Sequence, residues 1–282
     1  MRASAAKLMA MGEKLGLAER MKLYERAEAG RRFLPLLPIC ARIDGKRFSA
    51  WTKGLERPYD RRLSELMIAV TTALVEETQA VIGYTQSDEI SLVFHSEDLA
   101  RQTFLDGRVL KLASILASMA TAHFNAGLAT RLPERSDRPA IFDCRVWTVP
   151  TREEAANVLL WRERDASKNS LSMAARAHYP HQRLENARGP ELHELLHGVG
   201  VNWNDYPAFF KRGTFVRRET VRRPFSVEEI ETLPPRHAAR ENPALEIERT
   251  QVRAIDMPSF GSVSNRVAVV FEGAVPDTAN AD

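Results

Sequence analysis

Two carboxylates stand side by side in Gln86-Ser87-Asp88-Glu89, and a third, Asp44, closes the run Ile39-Cys40-Ala41-Arg42-Ile43. Like charges repel, so adjacent acids read as an ordinary solvated turn unless a cation draws them together. Mg2+ is such a cation: it takes one or two carboxylates and completes its shell with substrate phosphates. Two such ions can clamp the attacking and leaving oxygens of an in-line phosphoryl transfer. The neighbours of Asp44 suit that chemistry. Gly45 lets the backbone approach a phosphate, Lys46 and Arg47 bring positive charge, and Phe48 offers a ring to a base. Lys111 has the length to reach a triphosphate, and alone reads equally as a surface lysine. A different chemistry is spelled by His193-Glu194-Leu195-Leu196-His197, the H-E-x-x-H pattern that sets two imidazoles on one helix face for zinc, as in a zinc protease. Gly198 ends that helix at once and no third ligand stands nearby, so a surface pair is the plainer reading. His178 and His181 flank Pro180 and read as a helix end.

For the acids to meet, the chain must carry Asp44 to Asp88. Val81–Phe94 reads as a hairpin with the polar knot at its tip. Apolar residues at helical spacing predict helices over Asp60–Val81 and Leu105–Leu128, and Ile141–Val149 reads as a fourth strand. The resulting order is strand, helix, strand, strand, helix, strand. That is the split βαββαβ arrangement, an α+β, ferredoxin-like antiparallel sheet with helices on one face. It sets the first and third strands side by side in opposite directions. The end of one abuts the start of the other, which brings Asp44 to Asp88 and Glu89.

Around this catalytic core, residues 36–150, the sequence predicts an N-terminal helical arm in residues 1–35, broken at Gly12, Gly16 and Gly30. A long helix over Thr151–His178 opens a basic region that runs to residue 223. The C-terminal extension, 224–282, reads as Glu- and Pro-rich and irregular to residue 250. Gly213–Thr220 and Arg266–Phe271 are expected as strands of a small accessory sheet, and the last ten residues as disordered.

Composition bounds the function without fixing it. A chain of 282 residues, 44% hydrophobic and 27% charged, has ample material for a globular core. The net charge is +3, but the basic residues are uneven: Pro207–Arg223 holds six Lys/Arg against one Glu. That asymmetry points to a polyanionic partner. The two cysteines, Cys40 and Cys144, lie in apolar runs and read as reduced thiols of a cytoplasmic protein. No signal peptide is evident, and no run approaches the roughly 18 apolar residues of a membrane span, so no membrane partner is expected.

Five motifs in order carry a resemblance. Arg42-Ile43-Asp44-Gly45-Lys46-Arg47-Phe48, Gln86-Ser87-Asp88-Glu89, Phe142-Asp143-Cys144-Arg145-Val146, Leu160-Trp161-Arg162-Glu163-Arg164-Asp165-Ala166 and Lys211-Arg212-Gly213-Thr214 resemble the tRNA(His) guanylyltransferase family. The resemblance implies a polymerase palm-like fold and an enzyme that adds nucleotides to the 5′ end of tRNA in the 3′-to-5′ direction. It implies two Mg2+ ions on Asp44, Asp88 and the Gly45 carbonyl, with Glu89 supporting them. Lys46, Arg47, Phe48, Ser49 and Ser87 would line the nucleotide site, and Arg57, Arg108 and Lys111 would contact the triphosphate. ATP and GTP are the implied substrates, and a homotetramer the implied assembly.

The chain also departs from the eukaryotic pattern. Ser167-Lys168-Asn169-Ser170 replaces a His-Ile-Asn-Asn run, leaving only Asn169, and a Lys-Asn-Glu segment before Gly200 is missing. In this it is more similar to the bacterial and archaeal guanylyltransferase-like proteins, which repair truncated tRNA 5′ ends by copying the opposite strand. Base pairing would then choose the nucleotide, and the protein would need only sequence-independent grip. Arg162, Lys168, Asn169, Lys211, Arg212, Arg217 and Arg218 are the expected RNA contacts. A nucleotide cyclase on the same scaffold is the main alternative, and a pure RNA-binding module another. The basic stretch favours a long nucleic acid over free nucleotide, and the acids have no use in a module that only binds phosphate.

Overall fold

The computed structural model describes residues 15–101, 103–242 and 244–278. Its centre is a six-stranded antiparallel sheet in the order β4-β1-β3-β2-β5-β6. The strands are β1 Ile39–Gly45, β2 Ala80–Gln86, β3 Glu89–Phe94, β4 Phe142–Thr148, β5 Thr214–Pro224 and β6 Glu246–Ile255. The first helix, α1, spans Leu17–Ala29 between Gly16 and Gly30; the first 14 residues of the expected arm, Gly12 among them, lie outside the described residues.

Helix α2, Arg61–Glu77, follows β1 and starts where the Asp60 carboxylate accepts the Arg62 backbone N–H. Helix α3, Val109–Arg131, follows β3. By length and composition α3 is apolar enough to cross a membrane, contrary to the expectation from the sequence. Its Leu112, Leu116, Ala120, Phe124 and Leu128 are nevertheless buried against the sheet, as in the core helix of a globular protein.

The sheet is covered on both faces, where helices on one face were expected. Helices α2 and α3 pack with Ile39, Ala41, Ile43, Ile90 and Leu92 on the first face. On the second lies α4, Arg152–His178, whose Ala155, Ala156, Leu159 and Ala166 pack with Cys40, Ile82, Tyr84 and Val93. Alternate residues of a strand point to opposite faces, so apolar side chains on both predict two covers.

There is no separate accessory sheet. β5 pairs with β2 and β6 with β5, so both extend the main sheet. Arg266–Phe271 is helical, with Val269 and Val270 buried on α4. A short run of β-branched residues carries no period to separate strand from buried helix, and packing decided it. The stretch expected to be irregular contains β6 and a helix over Val227–Thr232 with a Ser226/Glu229 capping box. The tail is anchored as far as it is described: Asn265 donates to the Val275 carbonyl and accepts from the Asp277 N–H, while the last four residues lie outside the described chain.

One buried acid ties this tail region to α4. Glu163 is 3% exposed, and both its carboxylate oxygens lie 2.9 Å from the backbone nitrogen of Phe260. Burial pushes its carboxyl above the usual range, and the Phe260 N–H opposes that shift.

Candidate active site at the acidic edge of the sheet

The register of β1 sets the site. Asp44 stands opposite Glu89 of β3 on one side and Asp143 of β4 on the other. Residues opposite one another across strands share a face, so these three acids form one rung at the edge of the sheet. The rung behind it is Ser91, Arg42 and Arg145. Asp143 and Arg145 were not singled out as site residues in the sequence; the register that places them follows from the alternation of β4, Phe142 in and Asp143 out.

Asp88 joins the rung from the hairpin tip. β2 and β3 are connected by Ser87 and Asp88 alone, with Ser87 at φ 56°, in the left-handed region such turns require. The Ser87 hydroxyl donates to Asp88 Oδ1 at 3.1 Å, and the Gly45 N–H donates to the Asp88 carbonyl at 3.2 Å. That contact closes the two turns on each other. A Cβ on Gly45 would lie 2.4 Å from a carbon of the Phe48 ring and 3.1 Å from the Asp88 Cβ, so only glycine fits.

The electrostatics are those of acids short of a counter-ion. Burial, then the negative charge of Asp44, pushes the Asp88 carboxyl up to about 6. Glu89 is also raised by burial, but its two oxygens are held by Arg162, at 2.5 Å from Nε and 2.8 Å from Nη2, with Arg42 at 3.9 Å. Among the described residues Asp44, Asp88 and Asp143 enter no ion pair. The acids thus divide: Glu89 is engaged by protein, whereas Asp44 and Asp88 remain for a ligand. Among the described residues no three His, Cys, Asp or Glu side chains converge to enclose an ion by themselves. That fits Mg2+, which is held by one or two carboxylates and finished by phosphate oxygens and water.

The rung opens on a cleft of about 470 Å3, within the range of small-ligand sites. Asp44, Ser49, Ser87, Asp88 and Glu89 form one wall; Leu55, Pro58, Tyr59, Leu63 and Met173 give an apolar one. Arg57, Arg162, Asn169 and Arg176 also line the cleft. Arg176 was missed in the sequence, though Asn169 plus seven is two helical turns along the same face of α4.

Phe48 also borders the cleft, although its ring is largely in the core, stacked on Trp51 at 4.9 Å and edge-on to Phe124. Lys46 and Arg47 are exposed beside the edge. Arg108 and Lys111 sit at the opposite end of the sheet. There Arg108 bridges Arg32 and pairs with Asp106, and Phe104 stacks on Phe94, at the far end of β3. It is the C-terminal half of α3 that approaches the acids, where Thr121 accepts the Phe142 N–H.

The basic run is largely spent inside the fold. Arg162 is committed to Glu89 and Asp165. Buried Arg217 donates to Glu219 and to the Val269 and Ala274 carbonyls; Arg218 donates to the Val75 carbonyl. Lys211 donates to the Asn204 carbonyl and lies over the Trp203 ring. Lys211 and Arg212 are half-buried, leaving Lys168, Asn169 and Arg218 as the exposed members of the expected set. The H-E-x-x-H helix, α5, Gly189–Gly198, buries Leu192 and Leu196, and His193 packs edge-on against Trp203.

An antiparallel α+β sheet whose carboxylate edge opens on a nucleotide-sized cleft defines a class of phosphoryl-transfer proteins. The sequence profile described as tRNAHis guanylyltransferase matches residues 18–150. The tRNA(His) guanylyltransferase of Schizosaccharomyces pombe is 31% identical over 222 residues, covering 72% of this chain and 80% of that protein. An uncharacterised mimivirus protein is 27% identical over 229 residues, covering 73% of this chain and 78% of its own. Among solved structures, a bacterial tRNA(His) guanylyltransferase-like protein in complex with ATP superposes with a TM-score of 0.68 at 37% identity, over 72% of this chain and 87% of that one. One in complex with GTP gives 0.66 at 29% identity, over 87% and 94%. The chain belongs to the tRNA(His) guanylyltransferase family, a family of nucleotidyltransferases.

Proposed function

We propose that this chain adds nucleotides to the 5′ end of tRNA in the 3′-to-5′ direction, on a palm-like βαββαβ core. The observation that carries the reading is the convergence of Asp44 and Asp88 on the cleft, two half-buried acids that enter no ion pair among the described residues. Asp44, Asp88 and the Gly45 carbonyl would hold two Mg2+ ions, which when bound supply charge stabilisation to the attacking and leaving oxygens of phosphoryl transfer. Glu89 keeps the hairpin tip fixed through Arg162. Arg57 and Arg176 meet the triphosphate, and Leu55, Tyr59 and Met173 bury one face of the base. Asn169 offers the base a hydrogen bond.

ATP and GTP are the expected nucleotides, in keeping with the two bacterial structures that bind them. For chain growth at a 5′ end, the attacking group is the 3′-hydroxyl of the incoming nucleotide. The electrophile is the activated 5′ phosphate of the RNA, whose leaving group departs as the new phosphodiester forms. The Ser167–Ser170 departure supports templated repair of several tRNAs over untemplated G addition to tRNA(His). We place the enzyme in the cytoplasm, with Cys40 and Cys144 as free thiols, and assign it a homotetrameric assembly.

The test is a tRNA lacking its first nucleotide, supplied with ATP, GTP, CTP, UTP and Mg2+, with position 72 changed to each of the four bases. Addition of the complementary nucleotide in each case is expected. G added whatever the template, or activity on tRNA(His) alone, would overturn templated repair; no addition to any RNA would overturn the function.

A further inference from the structure

The rung of arginines behind the acids has a companion that the proposed function leaves unused. Trp161, on α4, is 50% exposed, the most open of the large aromatic side chains that remain exposed. A singly exposed apolar residue needs no explanation. This one, however, is held in place: the Arg162 guanidinium lies 4.6 Å from the ring centroid and that of Arg42 5.7 Å. Arg162 is itself fixed by Glu89 and Asp165, so the indole is anchored through the same carboxylate that braces the active-site edge. Arg145, exposed on the edge strand opposite Arg42, adds a further cation.

Arg42 and Asp44 share a face two residues apart on β1, about 7 Å along the strand. That is comparable to the reach from a 5′ phosphate to the base of the same nucleotide. A wet, immobilised indole among arginines, one rung behind a phosphate-handling edge, has the composition of a single-strand nucleic-acid platform: a π face for a base and cations for its backbone.

We propose that Trp161 stacks on the 5′-terminal base of the RNA being extended, with Arg42 and Arg145 meeting the flanking phosphate. The inference rests on the proposed nucleotide addition. It makes Trp161 a positioning residue for the RNA strand, with no part in binding the nucleoside triphosphate.

The experiment compares the wild type with Trp161→Ala and Trp161→Phe. Each is given two 5′-phosphorylated tRNAs lacking the first nucleotide, one with a normal 5′-terminal residue and one abasic there. Base–aromatic stacking of about 1–3 kcal/mol predicts that Trp161→Ala weakens binding of the normal RNA by roughly tenfold, with the nucleotide KM unchanged. The abasic RNA binds the wild type with a similar loss. In Trp161→Ala it suffers no further loss, because the two changes remove one contact. Trp161→Phe restores most of the affinity. Equal losses for both RNAs in Trp161→Ala, or no loss at all, would overturn the proposal; so would a change in sedimentation that accounts for the loss, since the indole would then serve an interface between copies. A wild type that extends neither RNA would instead defeat the proposed function, so the two failures are distinguishable.

Discussion

The acidic edge and the β5–β6 ribbon are built from the same kind of residue, charged side chains on paired strands, and they end in opposite states. In the ribbon, Arg217 and Arg253 share Glu219, Arg223 and Arg249 share Glu229, and Arg222 lies near Glu246 and Glu248. The run that looked like a free basic surface finds its anions within itself and in the chain that folds back over it. At the edge, Asp44, Asp88 and Asp143 have no such partners among the described residues. Charge that the fold neutralises holds the fold together; charge that it leaves open is available to a ligand. Counting charges along the sequence could not separate these two cases, because the neutralising partners lie up to 34 residues away, as Arg253 does from Glu219.

The sharpest way to break this comparison is to remove the open acids. Asp44→Ala or Asp88→Ala is expected to lower nucleotide addition by about a thousandfold or more, near 4 kcal/mol of transition-state stabilisation, with the circular dichroism spectrum unchanged. Activity within tenfold of wild type would mean the acids are a solvated turn.

The ribbon should answer in the other currency. Arg217→Met leaves Glu219 with one partner fewer and takes a donor from the buried Val269 carbonyl and the part-buried Ala274 carbonyl, and is expected to cost about 3 kcal/mol of unfolding free energy in urea. Its affinity for tRNA should match that of the wild type at equal salt. A stable variant with weakened RNA binding would restore the reading of this run as a phosphate grip.

Between these lie the cleft arginines. Neutralising Arg57 or Arg176 should raise the nucleotide KM by roughly tenfold, the loss of one charge-assisted hydrogen bond of about 1.5 kcal/mol. The same change at Arg108 or Lys111 should leave it unaltered, since both sit at the far end of the sheet. Steady-state kinetics with each variant would settle the contrast.

The smallest effect concerns pH. The folded-state Asp88 carboxyl is raised to about 6, above its unfolded value near 3.9. The folded chain therefore binds more protons than the unfolded one between those values. Without metal, this group's contribution to stability falls as pH rises through that window and is lowest above it. Mg2+ competes with the proton and reverses the trend. Added Mg2+ should accordingly raise Tm by a few degrees at pH 7.5 and scarcely at pH 5. An equal shift at both values would place the ion away from Asp88.

Much of the site was legible because a strand period of two leaves little freedom. Once β1 and β3 are antiparallel neighbours, Ile43 opposite Ile90 forces Asp44 opposite Glu89. The same topology held the signal that Lys111 is misplaced. β3 leaves the acids at Glu89 and ends at Phe94, so a helix that follows it starts at the far end. What was not legible depended on packing. Phe48 is drawn inward by Trp51, three residues along its own turn, and by Phe124 and Phe142 from distant segments. Arg266–Phe271 becomes helical against α4, although its residue types favour a strand. Arg162 looked like an RNA contact because nothing in its own helix shows that Glu89, 73 residues earlier, will claim it.

The Glu163–Phe260 contact bears on how the molecule is made. The carboxylate leaves the ribosome 97 residues ahead of the N–H that receives it. At about 5–20 residues per second, that is a wait of roughly 5–20 seconds. Throughout that interval α4 can close over the sheet only by burying this carboxyl without its backbone donor, with the positive charges of Arg212 and Arg164 as its remaining support. The segment around Phe260 is thus the latch that lets the long helix settle, and the cleft that α4 helps to wall is finished only after that segment has been made.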